Sequence, residues 1–161
     1  MEFIEKAGFL IEQENVKTAL KQVVKITGLK GRWQKLSDKP LILTDTGHNE
    51  DGIKQVLENF GTLQYDKLHF VLGTVNDKDI TKILSLMPKN ATYYFVKANI
   101  PRALDENDLM KQAQSFKLNG KAYRTVEEGI KAAKKAAKKT DLIFIGGSTF
   151  VVGDALAVLD V

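Results

Sequence analysis

The 161-residue chain contains no cysteine, which excludes a disulfide framework and a thiolate metal site. Its only histidines, His48 and His69, are too few for a histidine-rich metal centre, so no metal ligands are assigned to this chain. No apolar run approaches the ~20 residues needed to cross a bilayer, and no basic stretch followed by an apolar core opens the sequence. The expectation is a cytoplasmic chain with no membrane partner. A phosphate loop of the form G-x-x-x-x-G-K-[ST] is missing, and Gly28, Gly31, Gly146 and Gly147 do not make a G-x-G-x-x-G fingerprint. Any nucleotide chemistry carried here is therefore incomplete.

What is present is an ordinary globular composition with a formal charge of +4, from 24 basic and 20 acidic residues. So small a surplus favours anionic ligands without requiring nucleic acid. Much of it is local: in KAAKKAAKK, Lys131, Lys134, Lys135, Lys138 and Lys139 recur at helical spacing, leaving Ala132, Ala133, Ala136 and Ala137 for the opposite face. The segment reads as a solvated amphipathic helix packed through its alanines. No aromatic residues interleave for base stacking, and no nucleic-acid partner is expected.

The character of the sequence changes near residue 28. Before it, Phe3, Ala7, Leu10 and Ile11, then Val16, Ala19, Leu20, Val23 and Val24, fall at helical spacing and close on Gly28. After it, LILT (41–44), LHFVLG (68–73), TYYFV (92–96) and DLIFIGG (141–147) are strand candidates, with a weaker one at KAYR (121–124). Helical patterns lie between them. Ile53, Val56, Leu57 and Phe60 line one face before Gly61, and Ile80, Ile83, Leu84 and Met87 line another before Pro88. Strands alternating with helices predict a Rossmann-like α/β fold, a mostly parallel sheet covered on both faces, after a short N-terminal helical segment. RWQKL (32–36) is expected to add an antiparallel edge strand. The expected division is a helical piece over 1–28 and an α/β domain over 29–161.

The stretch LILTDTGHNEDG raises two chemistries. Asp45-Thr46-Gly47 resembles an aspartic-protease loop, but that mechanism needs two aspartates sharing a proton on a β-rich scaffold. Here a single DTG opens into a helix, which excludes it. A phospho-receiver domain is excluded as well, because the loop after TYYFV offers Lys97 and Asn99 where an acceptor aspartate is needed.

In an open parallel sheet, ligands bind outside the carboxyl ends of the strands, near exposed helix N-termini. That rule selects Asp45, Thr46, His48 and Asn49; then Asn76, Asp77 and Lys78; then Asn99 to Arg102; then Gly146 to Thr149. Gly146-Gly147-Ser148 can turn its amides toward a carboxylate or phosphate, or can simply carry Ser148 as a helix cap. His48 can bind phosphate, relay a proton or cap the next helix. Asp45 can hold ribose hydroxyls or close the strand with an Asx turn.

GRWQ at 31–34, DTGHN at 45–49, G-x-x-NDKD at 73–79, PRA at 101–103 and GGSTFVVGDAL at 146–156 together resemble, in order and spacing, a known set. It is that of the C-terminal half of bacterial folylpolyglutamate synthase/dihydrofolate synthase, a branch of the Mur-ligase superfamily. Where that family often has Asp-Gly-Ala-His-Asn or Asp-Val-Ala-His-Asn, this chain has Asp45-Thr46-Gly47-His48-Asn49, which keeps the polar anchors in register.

The resemblance implies a C-terminal domain of an ATP-dependent ligase that activates a folate or dihydropteroate carboxylate as an acyl phosphate and joins it to L-glutamate. It further implies that the phosphate loop and the Mg²⁺ ligands lie in a missing N-terminal domain, of which residues 1–28 are the last helices. On that reading the Met1 start marks a fragment, inactive alone. Carried over by motif, Arg32 faces the ATP phosphates, Asp45 and His48 the nucleotide, and Asn49 the same loop. His48 is the catalytic candidate, while Ser148 and Lys78 are assigned to the incoming glutamate. The competing expectation is a stand-alone Rossmann-like domain that binds a nucleotide or an amino acid by itself.

Overall fold

The computed structural model describes residues 2–76 and 79–160. The chain divides into two compact units, Met1–Lys30 and Gly31–Val161. The first unit holds α1 (Glu2–Lys6), α2 (Gln13–Lys21) and α3 (Val23–Thr27). Gly28 closes α3 in the left-handed conformation at φ 65°, its N–H donating to the Val24 carbonyl, as the sequence pattern predicts. Neither α2 nor α3 contributes a buried residue, and Phe3, Phe9, Leu10 and Leu20 are exposed.

The second unit is built on six strands: β1 (Gln34–Asp38), β2 (Leu41–Asp45), β3 (Leu68–Leu72), β4 (Thr92–Val96), β5 (Gly120–Tyr123) and β6 (Leu142–Gly146). They lie in the order β1-β2-β6-β3-β4-β5, with β1 antiparallel to β2 and every other pair parallel. This is the α/β architecture with an antiparallel edge that the alternating pattern predicts. Every residue of β3 and β6 is buried, as central strands covered on both faces require.

Successive side chains point to opposite faces, so one strand feeds two cores. Leu142 and Phe144 join Phe70, Leu72, Tyr93 and Phe95 on one side. Ile143 and Ile145 join Ile42, Val71, Tyr94 and Val96 on the other. The first core is closed by α4 (Glu50–Phe60), α5 (Thr81–Leu86) and α6 (Glu106–Gln114) through Ile53, Val56, Phe60, Leu84 and Leu109. Phe144 sits at its centre, edge-on to Phe60 and Phe70 at centroid distances of 5.0 and 4.9 Å. The second core is closed by α7 (Val126–Ala136) and α8 (Thr149–Val158) through Val126, Ile130, Ala133, Val151 and Ala155.

The two-sided arrangement follows from handedness. From β2 through β5 the chain steps in one direction with its helices on one face, then reverses and inserts β6 between β2 and β3. Right-handed crossovers put the returning helix, α7, on the opposite face. The chain thus leaves β2 and β3 toward one face and β6 toward the other, which opens a crevice at their carboxyl ends.

The lysine segment departs from expectation. Helix α7 ends at Ala136, and Ala137 is extended, so Lys138 and Lys139 lie beyond the helix rather than on its polar face. The Lys138 N–H donates to the buried Asp141 carboxylate at 2.7 Å, which diverts the chain into β6. Nor does α7 pack through all its alanines: Ala133 is buried, Ala136 is exposed, and Val126, Gly129 and Ile130 supply the rest of the contact.

Candidate functional site

Register sets the site. Asp45 and Leu72 both pair with Gly146, so β2, β6 and β3 end at one level and their loops emerge side by side. After β6, Gly147 adopts φ +92°, and a Cβ there would stand 2.6 Å from Leu72 Cδ1 and 2.7 Å from the Gly73 carbonyl oxygen. Only glycine fits both the conformation and the approach. The turn delivers Ser148, which is buried and caps α8 by accepting the Phe150 N–H at 3.2 Å. The Ser148 hydroxyl proton remains available to donate.

The loop after β2 is held by Asp45. Its Oδ1 accepts the Gly47 N–H and its Oδ2 the Trp33 N–H, each at 2.7 Å. The His48 Nδ1 lies 3.0 Å from the Thr46 carbonyl oxygen. A carbonyl only accepts, so Nδ1 carries the proton and the Nε2 of the neutral ring keeps a lone pair. Asn49 caps α4, its Oδ1 accepting the Gly52 N–H at 2.8 Å.

The loops after β3 and β4 are tied to each other. Val75 bridges Ala103, the Asn76 N–H donates to the Arg102 carbonyl at 2.9 Å, and the Leu104 N–H donates to Thr74 at 3.0 Å. This carries Arg102 across to α8, where its guanidinium carbon lies 4.9 Å from the Phe150 ring centroid, a cation–π contact.

These elements enclose a cavity of about 330 Å³ lined by His48, Thr74, Val75, Arg102, Gly147, Ser148, Thr149 and Phe150. Its size suits a small ligand. Its lining brings together the Arg102 cation, the N-terminus of α8, the hydroxyl residues Thr74, Ser148 and Thr149, and the His48 imidazole. Groups of these kinds are able to hold a carboxylate and to accept a proton. A wider groove of about 680 Å³ lies beside the 97–101 loop. Its Asp154 carboxylate already accepts the Asn99 N–H at 2.8 Å and its Lys97 stands 3.9 Å from Asp105, so it gathers no comparable set of converging groups.

Of the residues expected from sequence, His48 and Ser148 meet in the smaller cavity. Asp45 and Asn49 stand behind it as loop supports, and Arg32 is exposed on the turn before β1. Lys78 lies outside the described residues. Among the described residues no cluster of three or more His, Asp or Glu side chains could hold a metal. Arg102, selected with the loop after β4, joins His48 and Ser148 in the cavity, and Thr74 and Phe150 complete the site without having been singled out by sequence. For Phe150 the available signal was an aromatic in the first turn of α8.

Comparisons with known proteins give the family and the fold. The family description "Mur ligase, glutamate ligase domain" matches residues 31–149. A probable bifunctional folylpolyglutamate synthase/dihydropteroate synthase of Haloferax volcanii is 31% identical over 128 residues, 78% of this chain and 15% of that protein. A dihydrofolate synthase/folylpolyglutamate synthase of Buchnera aphidicola subsp. Schizaphis graminum is 27% identical over 156 residues, 96% of this chain and 36% of that protein. Among solved structures, Escherichia coli FolC in complex with DHPP and ADP superposes with a TM-score of 0.81 at 23% identity, covering 98% of this chain and 36% of that one. The chain thus spans roughly a third or less of these proteins.

Proposed function

The chain belongs to the Mur ligase family through its glutamate ligase domain, and from that premise we propose that it is the C-terminal part of an ATP-dependent folylpolyglutamate or dihydrofolate synthase. In that reaction the γ-phosphoryl group of ATP passes to the carboxylate of a folate or dihydropteroate, giving an acyl phosphate and ADP. The amino group of L-glutamate attacks the acyl carbon, the bond to phosphate breaks, and inorganic phosphate leaves with the electron pair as the amide forms.

This chain's share is to hold the glutamate and flank the phosphates. Arg102, the Ser148 hydroxyl and the N-terminus of α8 take the glutamate carboxylates. His48 Nε2 accepts the proton the amine must lose before it attacks. Arg32 offers an exposed guanidinium to the nucleotide phosphates, and Asp45 and Asn49 shape the loop beside them. Lys78 is assigned an auxiliary role toward glutamate. Mg²⁺ would supply counter-charge to the phosphates, and its protein ligands are assigned to the N-terminal domain that supplies the phosphate loop. Residues 1–28 are assigned to that domain's last helices and 29–161 to the ligase C-terminal domain. On this assignment the chain alone forms no amide, and the complete enzyme works in the cytoplasm.

The observation that carries the proposal is the convergence of His48, Arg102 and Ser148 on one cavity at the crevice between oppositely directed loops. Calorimetric titration with L-glutamate tests it. Arg102→Ala is expected to weaken binding at least about tenfold, the loss of one charge-assisted contact. Equal affinity in the two proteins would remove glutamate from this cavity. The self-contained double core of Gly31–Val161 favours one rival, a stand-alone amino-acid or nucleotide binder. ATP binding by this chain alone, unchanged when the N-terminal domain is added, would favour that rival.

A further inference from the structure

Asp45 stands one residue chain away from His48's support and twelve residues away from the turn that carries Arg32, and it touches both. The turn Gly31-Arg32-Trp33-Gln34 is held from three sides. The Gly31 N–H donates to Gln34 Oε1 at 2.7 Å, the Thr46 N–H donates to the Gly31 carbonyl at 2.9 Å, and the Trp33 N–H donates to Asp45 Oδ2 at 2.7 Å. Two of the three bonds come from the Asp45-Thr46 dipeptide. The same Thr46 offers its carbonyl to His48 Nδ1, and the other Asp45 oxygen holds the Gly47 amide.

The turn is conformationally costly. Gly31 has φ +76° and Trp33 φ +42°, a left-handed conformation that a bulky side chain rarely adopts. The Trp33 ring is clamped between Phe60 and Phe144 at centroid distances of 6.0 and 6.2 Å. A Cβ on Gly31 would stand 2.7 Å from Val152 Cγ1, so the turn also lies tight against α8. Strain of this kind persists only where surrounding bonds over-determine it. The charge-assisted bond to Asp45 is the strongest of those available.

We propose that Asp45 is a positioning residue that locks the strained 31–34 turn to the 45–49 loop, so that Arg32 and His48 are presented as one rigid pair. Neither carboxylate oxygen has to touch the nucleotide for this, since both already accept backbone amides. The role in catalysis rests on the ligase reading above; the lock itself does not. Asp45→Asn is the discriminating variant, because the amide keeps the size of the carboxylate while replacing one acceptor with a donor that opposes a backbone N–H.

In the 161-residue chain, Asp45→Asn should speed amide hydrogen exchange at Trp33 or Gly47 at least about tenfold. Protection at Phe70 and Phe144 should be retained, and the emission of Trp33, the only tryptophan, should change. Unchanged exchange at both amides in a folded variant overturns the lock. The unmutated chain supplies a second measurement if the variant does not fold: the Trp33 and Gly47 amide protons should shift together along the titration of the Asp45 carboxyl carbon. Independent shifts overturn the lock.

In a complete ligase containing this chain, Asp45→Asn should lower kcat/KM for ATP and for 2′-deoxy-ATP by the same factor. A loss confined to ATP would make Asp45 a direct ribose ligand and overturn the positioning role. Exchange and titration need no turnover, so a failed ligase reading leaves them interpretable.

Discussion

A buried charge in this protein lies far from the cavity. His69 and Asp141, 72 residues apart, meet at 3.3 Å between Nε2 and Oδ2, and His69 Nδ1 lies 2.9 Å from the Tyr94 hydroxyl. Both residues are buried, and Asp141 Oδ1 has no hydrogen-bond partner among the described residues. Burial alone would raise the Asp141 carboxyl, but hydrogen bonds from the Lys138 amide and from His69 outweigh it and hold the group below the usual carboxylate range. A carboxyl depressed in the folded state stabilises the fold above its unfolded pKa of ~3.9. That contribution is lost as pH falls through the lower folded value. Unfolding midpoints measured between pH 5 and pH 2 should therefore fall more steeply for the parent chain than for Asp141→Asn. Parallel curves would mean that the pair does not couple protonation to folding. Nothing local in the sequence announces this network. His69 reads as one more polar residue in an apolar run, and its partners become neighbours only when β3, β4 and the entry to β6 are aligned.

At the scale of elements, the strands were the most legible feature. TYYFV coincides with β4, and LILT and KAYR fall within one residue of β2 and β5, because short apolar runs between turn signals have few other ways to bury themselves. The end of the lysine helix was not legible, since helical spacing continues to Lys139 while a side chain two residues further on stops the helix at Ala136. The Gly146-Gly147-Ser148 turn was legible as a turn but not in its tightness, which comes from Leu72 and Gly73 on the adjacent strand. Gly147→Ala should cost about 1–3 kcal/mol from the forced φ alone, with more from the 2.6 Å approach to Leu72. Chemical denaturation measures the loss. A variant as stable as the parent would mean that the turn relaxes without a penalty and does not fix the position of Ser148.

For the molecule as a whole, the sequence supports an α/β class and an antiparallel edge, but not the insertion of β6 between β2 and β3. That order depends on a return across the sheet, which no local pattern encodes. It is also what brings His48 and Ser148, a hundred residues apart, to one cavity, with Arg102 supplied from a loop tied to the end of β3. The division of labour then follows from chemistry. On the proposed assignment this chain presents groups for an amino acid and an exposed arginine for phosphates, and its sequence has no phosphate loop. The measurement that bears most directly on this account is ADP release dependent on both a folate-type acceptor and L-glutamate. It should be made on the 161-residue chain alone and on a complete ligase containing it. The account predicts none from the chain alone and, from the ligase, one ADP for each amide formed. Acceptor-dependent ADP release by the purified chain alone, or turnover by the ligase that ignores L-glutamate, would contradict it.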